Sequence, residues 1–164
     1  MIFVTIGTTE SFDRLLRALD SLEGEDLVVQ CGDSGVRPRH AHLVEYLPYD
    51  CLVDYVRRAR LVISHAGVGT IMTAHANGKR PVVVPRREVF GEAVDDHQVE
   101  LARRLALTGL VTLVEDPRGL RDTVRQANPE LDHLPPAGGA GLAGELGRYL
   151  ATHISERLAD PPND

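Results

Sequence analysis

Short apolar runs recur along the chain at residues 2–6, 27–31, 43–47, 61–64, 81–84 and 110–114. They are rich in Val, Ile and Leu, and most are apolar throughout, without the alternation of a half-exposed strand. Strands buried on both faces read this way, as in a parallel sheet. Between them the apolar period lengthens to that of a helix. Phe12, Leu15, Leu16, Leu19 and Leu22 share one face, and Leu101 and Leu105 repeat the spacing after Gln98. Gly24 follows the first helix, Asp50 is placed to cap the next, Gly78 ends the one after His65, and Gly109 closes the segment from Asp96. Strand and helix alternate, which predicts an α/β domain with a Rossmann-like, doubly wound parallel sheet.

The pattern changes towards the end. Residues 128–141 hold three prolines and three glycines and read as a loop. It leads to a last amphipathic helix with Leu142, Leu146, Tyr149, Leu150, His153, Ile154 and Leu158 as its stripe. Asp160-Pro161-Pro162-Asn163-Asp164 is polar and proline-broken. One domain over residues 1–158 and a disordered tail over 159–164 are therefore expected. A chain of 164 residues, 43% of them hydrophobic, suffices for one core.

Charge and cysteine usage narrow the function classes. A formal net charge of -6 argues against unassisted binding to nucleic acid or an anionic lipid surface, both of which need clustered positive charge. Cys31 and Cys51 lack C-x-x-C spacing and read as reduced thiols, which suits the cytoplasm. The first residues lack the basic flank and cleavage site of a signal peptide, and no apolar run approaches the ~20 residues of a membrane span.

In a doubly wound sheet, ligands bind beyond the carboxyl ends of the strands, where helix N-termini point their N–H groups at the crevice. Gly7-Thr8-Thr9-Glu10-Ser11 follows the first strand with a glycine and several hydroxyls, although Gly-Thr-Thr serves an ordinary turn equally well. Ser64-His65-Ala66-Gly67-Val68-Gly69-Thr70 follows the fourth strand and opens a helix with two glycines, a composition suited to a diphosphate. His65 either bonds that phosphate or is satisfied by a backbone carbonyl at the strand end. These glycines do not form the Gly-x-Gly-x-x-Gly of a dinucleotide site, which disfavours NAD. A third cluster, Glu92-Ala93-Val94-Asp95-Asp96-His97-Gln98, offers acceptors and donors for several hydroxyls of one sugar, while acids in a first helical turn are also expected from the helix dipole. Adjacent residues at a helix start diverge, so no metal site is expected from Asp95, Asp96 and His97.

Taken in order, residues 3–9, residues 63–70, residues 78–86 and Asp95-Asp96-His97-Gln98 resemble the C-terminal domain of family 28 glycosyltransferases, of GT-B architecture. The match runs from Met1 to about Val114 and looks like the stand-alone form of that domain. Two-part transferases use it, among them the eukaryotic dolichol-linked N-acetylglucosaminyltransferase and bacterial exopolysaccharide enzymes. The resemblance implies that Gly7, Thr8, Thr9, His65, Ala66, Gly67, Gly69 and Thr70 line the UDP diphosphate. It places Arg86, Asp96, His97 and Gln98 against the sugar and ribose, and the backbone at Tyr46 and Leu47 against the uracil.

The expected function is donor binding and catalysis in an inverting transfer from a UDP-sugar to a lipid-linked saccharide. UDP-sugar is the substrate, with no cofactor or metal. The acceptor site and the base would lie on a separate, membrane-associated subunit, which recruits this chain to the inner face of the membrane. A catalytically silent nucleotide-sugar-binding scaffold is the alternative. An epimerase of GT-B architecture normally needs both domains in one chain, and the length argues against it.

Overall fold

In the computed structural model, which describes residues 1–8 and 10–127 with Gly141, Ala143, Gly144 and Gly147, six strands form one parallel sheet. They are β1 (Ile2–Thr5), β2 (Leu27–Gln30), β3 (Ala41–Val44), β4 (Leu61–Ser64), β5 (Val82–Val83) and β6 (Thr112–Leu113), in the order β3-β2-β1-β4-β5-β6. The helices are α1 (Asp13–Ala18), α2 (Tyr49–Arg58), α3 (Val68–Ala76), α4 (His97–Leu107) and α5 (Leu120–Gln126). The expected Rossmann-like doubly wound fold is the one observed.

Successive residues of β1 go to different cores, as the pleat requires. Ile2, Val4 and Ile6 pack with Phe12, Leu15 and Leu16 at α1 and with Leu120 and Val124 of α5. Phe3 joins Val56 of α2 and Ala74 of α3, and its ring stacks on Tyr55 at 5.3 Å. A third cluster joins Ile71 of α3 to Val83 and to Leu101 and Leu105 of α4. Every residue of β1, β2 and β4 is buried, as their uninterrupted apolar runs require. Each large apolar side chain contributes about 1.5–3 kcal/mol.

Several boundaries differ from the expectation. Pairing of Leu27 with Ala41 draws β3 two residues upstream, into half-buried and exposed positions on a sheet edge. β5 and β6 are two residues each, limited to the stretch where they pair. Asp50 does not cap α2: Pro48 occupies that position, and Asp50 lies in the first turn, where the helix dipole favours an acid. No helix joins β2 to β3, because residues 31–40 contain Gly32, Gly35 and Pro38 and no apolar stripe. Gly24, Gly78 and Gly109 follow their helices as expected. Thr9, the loop over 128–140, the apolar stripe of the last helix and the tail over 159–164 lie outside the described residues.

Candidate functional site

A wholly parallel sheet presents all its carboxyl ends at one edge. Chain order reverses between β1 and β4, so their connections leave towards opposite sides and open a crevice there. After β1, Gly7 takes φ 84°, a left-handed conformation that favours glycine. Its N–H donates to Thr5 Oγ1 at 3.4 Å, and that hydroxyl donates to Gln30 Oε1 at 2.7 Å, tying the loop to two strands. Thr8 is exposed beside it.

After β4, Gly67 is the N-cap of α3 and no side chain caps the helix. The first N–H groups of α3 have no acceptor within the helix, and the positive end of its dipole lies with them. The His65 ring sits between the two loops. A Cβ on Gly67 would lie 2.2 Å from His65 Nε2, and one on Gly7 would lie 3.0 Å from Cε1. A side chain at Gly67 would force the imidazole to move, and at Gly7 the left-handed backbone adds to a tight approach to the same ring. His65 Nδ1 is buried with no hydrogen-bond partner among the described residues. Burial, then the charge of Arg86, lower the His65 pKa to about 4, with the Thr5 backbone and Glu10 opposing. The ring is neutral at pH 7. A neutral imidazole carries one N–H donor and one acceptor nitrogen, and Nε2 is the nitrogen at the glycine turn.

The sugar cluster is placed by α4. Asp96 is the N-cap residue, and its Oδ1 accepts from the Glu88 N–H at 2.9 Å. Asp95 Oδ1 accepts from the His97 N–H at 3.1 Å and lies 3.3 Å from His97 Nδ1. Gln98 Oε1 accepts from the Arg86 N–H at 3.2 Å. Arg86, assigned to sugar and ribose by the resemblance, is turned inward. Its side chain is 3% exposed, and it donates to Glu10 Oε2 at 2.6 Å, Ile6 O at 2.7 Å and Glu10 O at 2.7 Å. At the far end of the same edge, Tyr46 is half exposed, and the Asp33 carboxylate beside its hydroxyl raises its pKa. Leu47 packs partly against the Phe3 core.

Glu10 and Glu92 stand in the loops named from the sequence, but their pairing with Arg86 and Arg14, and the place of Phe90 beside Arg14, appear only in the structure. Arg14 of α1 donates to both carboxylate oxygens of Glu92 at 2.8 Å and to Pro85 O at 2.9 Å. Its guanidinium lies 4.9 Å from the centre of the Phe90 ring. Arg14 and Glu92 are 78 residues apart and Arg86 and Glu10 are 76 apart, too far for a local signal. A cavity of about 360 Å³, lined by Glu10, Ser11, Gly91, Glu92, Ala93 and Val94, lies between the first loop and the β5–α4 segment. Among the described residues no group of three or more His, Cys, Asp or Glu side chains is arranged to hold a metal ion. No helix there is long and apolar enough to cross a membrane.

Residues 1–137 match the glycosyltransferase family 28 C-terminal domain. A UDP-N-acetylglucosamine transferase subunit ALG13 of Yarrowia lipolytica is 31% identical over 121 residues, covering 64% of this chain and 60% of that protein. The Homo sapiens protein of that name is 34% identical over 122 residues, covering 66% of this chain and 10% of its own length. The chain thus spans less than two thirds of these relatives. Among solved structures, MurG of Acinetobacter baumannii superposes with a TM-score of 0.55 at 25% identity, over 79% of this chain and 42% of that one. The calicheamicin glycosyltransferase CalG4 superposes with a TM-score of 0.59 at 20% identity, over 92% and 43%.

Proposed function

The chain belongs to the glycosyltransferase family 28 C-terminal domain family, and from that premise we propose that it is the donor-binding catalytic subunit of an inverting, UDP-sugar-dependent glycosyltransferase. One observation carries this reading. The uncapped N-terminus of α3, the Gly7 turn and the neutral His65 meet at the switch point between β1 and β4. Backbone N–H groups and an imidazole N–H in that arrangement suit a diphosphate. The ALG13 relatives are named as subunits of a UDP-N-acetylglucosamine transferase, which supports a UDP-sugar donor and an assembly of more than one chain.

Transfer with inversion needs an acceptor hydroxyl, a base to take its proton, and stabilisation of the departing diphosphate. This chain supplies the third. The α3 N–H groups, Gly67, Gly69 and Thr70 hold the diphosphate, and His65 Nε2 donates to it as negative charge builds. Asp96, His97 and Gln98 receive the sugar and ribose hydroxyls, and the backbone at Tyr46 and Leu47 receives the uracil. The base and the lipid-linked saccharide come from a separate, membrane-associated subunit, which brings this chain to the cytoplasmic face of the membrane. Helix dipole and imidazole replace a cation at the diphosphate, so no metal is needed.

Calorimetry with UDP in the presence of a chelator tests the reading. Binding is expected, and Gly67→Asp, which sets a carboxylate in the cradle, weakens it at least about tenfold. No UDP affinity, alone or with the acceptor subunit, rejects it. With the subunit bound, His65→Ala and Gln98→Ala lower transfer without loss of assembly. Unchanged transfer identifies a scaffold instead.

A further inference from the structure

Two arginines cross between the loops of the candidate site. Arg86, at the end of β5, reaches back to the first loop, where it holds the Glu10 carboxylate, the Glu10 carbonyl and the Ile6 carbonyl. Arg14, just beyond the first loop, reaches forward to the β5–α4 segment, where it holds both oxygens of Glu92 and the Pro85 carbonyl. Each loop thus sends an arginine to a glutamate of the other. Both guanidiniums lie 5.3 Å from the ring centre of Phe12, which is fully buried.

The arrangement is costly unless completed. Buried guanidiniums need partners, and breaking such a pair from one side strands a charge. Arg14 and Glu92 are 20% and 9% exposed and Arg86 is 3% exposed, so three of the four charged groups are withdrawn from water. Glu10, at 52%, is the one reached by solvent. Both glutamates line the 360 Å³ cavity between the loops. Glu92 Oε2 also accepts from the Arg87 N–H at 3.1 Å, extending the hold along the second loop.

We propose that Arg86 and Arg14 are positioning residues: their crossed pairs with Glu10 and Glu92 fix the spacing between the diphosphate loop and the sugar loop. The proposal rests on the donor-binding reading given above. Both guanidiniums are occupied by carboxylates and carbonyls of the protein, so they act on the donor through the loops. They hold two loops that must receive its two ends at one fixed separation, and a preformed spacing spares the ordering cost on binding. Arg86 additionally fixes Gln98 through its own backbone N–H, which links the clamp to the start of α4.

The test uses the full chain carrying Glu10→Gln or Glu92→Gln, with Arg86→Lys as the conservative variant. Glu10→Gln is a nearly isosteric change at a half-exposed site, so it retains the fold even where variants of the buried arginines do not. Amide hydrogen exchange is read in both loops, and affinity is read with UDP and with UDP-N-acetylglucosamine as probes. Glu10→Gln is expected to speed exchange in residues 87–95, on the loop it does not belong to, by about tenfold, leaving β2 and α2 unchanged. It is expected to weaken the UDP-sugar about tenfold and more than UDP, because only the longer ligand spans both loops. Arg86→Lys keeps the charge but loses the forked donor, and is expected to show both effects in smaller measure. Exchange confined to the altered loop, or variants that bind the UDP-sugar as the wild type does, overturns the clamp. If the wild-type chain binds neither probe, the donor-binding reading fails, and cross-loop exchange alone then decides whether the clamp exists.

Discussion

At the scale of the residue, His65 carries two measurable consequences. Its pKa falls from 6.5 to about 4 in the folded chain because burial penalises the imidazolium, with Arg86 adding repulsion. Between those values the unfolded chain binds a proton that the folded chain does not. Stability is therefore flat above pH 6.5 and declines as pH falls from 6.5 through 4, by about 3 kcal/mol at most from this group. Urea midpoints at pH 7.5 and 4.5 check this: His65→Gln should lose part of the acid-side decline, and an unaltered slope contradicts the assignment. Gly67 is the second case. An alanine methyl there would sit 2.2 Å from His65 Nε2, so the ring must shift to admit it. Gly67→Ala should cost roughly 1–3 kcal/mol, and most of that should disappear in the His65→Ala background. A double-mutant cycle in denaturant measures the coupling.

At the scale of the element, the first turn of α3 separates structural from functional glycine. Gly69 is exposed within the helix, and a Cβ on it would meet nothing within 4 Å. Gly69→Ala should stabilise the helix by about 0.5–1 kcal/mol. The same methyl lies in the turn proposed to hold the diphosphate and should weaken UDP binding. Stability and affinity moving in opposite directions, read by denaturation and calorimetry on one sample, places the ligand at that turn. Affinity that does not move places it elsewhere. Helix starts such as this one were legible in the sequence because glycines and small residues after a strand act locally. The missing cap at Asp50 was not, because Pro48 and Asp50 both lie near the start and only the backbone path chooses between them.

At the scale of the whole molecule, ligand linkage gives a global readout. UDP at a hundred times its dissociation constant should stabilise the fold by about 2.7 kcal/mol, raising Tm by roughly 5–10 °C for a chain of this size. A Tm that ignores UDP contradicts a site in the native fold. The sheet itself could be read ahead because burial on both faces leaves an uninterrupted apolar run at β1, β2 and β4. The edge strand β3 was misplaced by two residues because its start depends on a partner, Leu27, and not on its own hydropathy. The ion pairs that join the two loops were invisible for the same reason on a larger scale. Nothing near Arg14 or Arg86 in sequence marks a carboxylate more than seventy positions away as its neighbour.

The two thiols end in opposite environments: Cys31 is buried beneath the sheet edge, and Cys51 is exposed in the first turn of α2, a few residues beyond Tyr46 and Leu47. The natural chain is therefore a ready-made single-attachment reagent. A maleimide dye should couple once under native conditions and twice after denaturation, countable by mass spectrometry. Held at Cys51, the dye would sit close to the proposed uracil segment without any engineered change, and its emission would follow nucleotide arrival in real time.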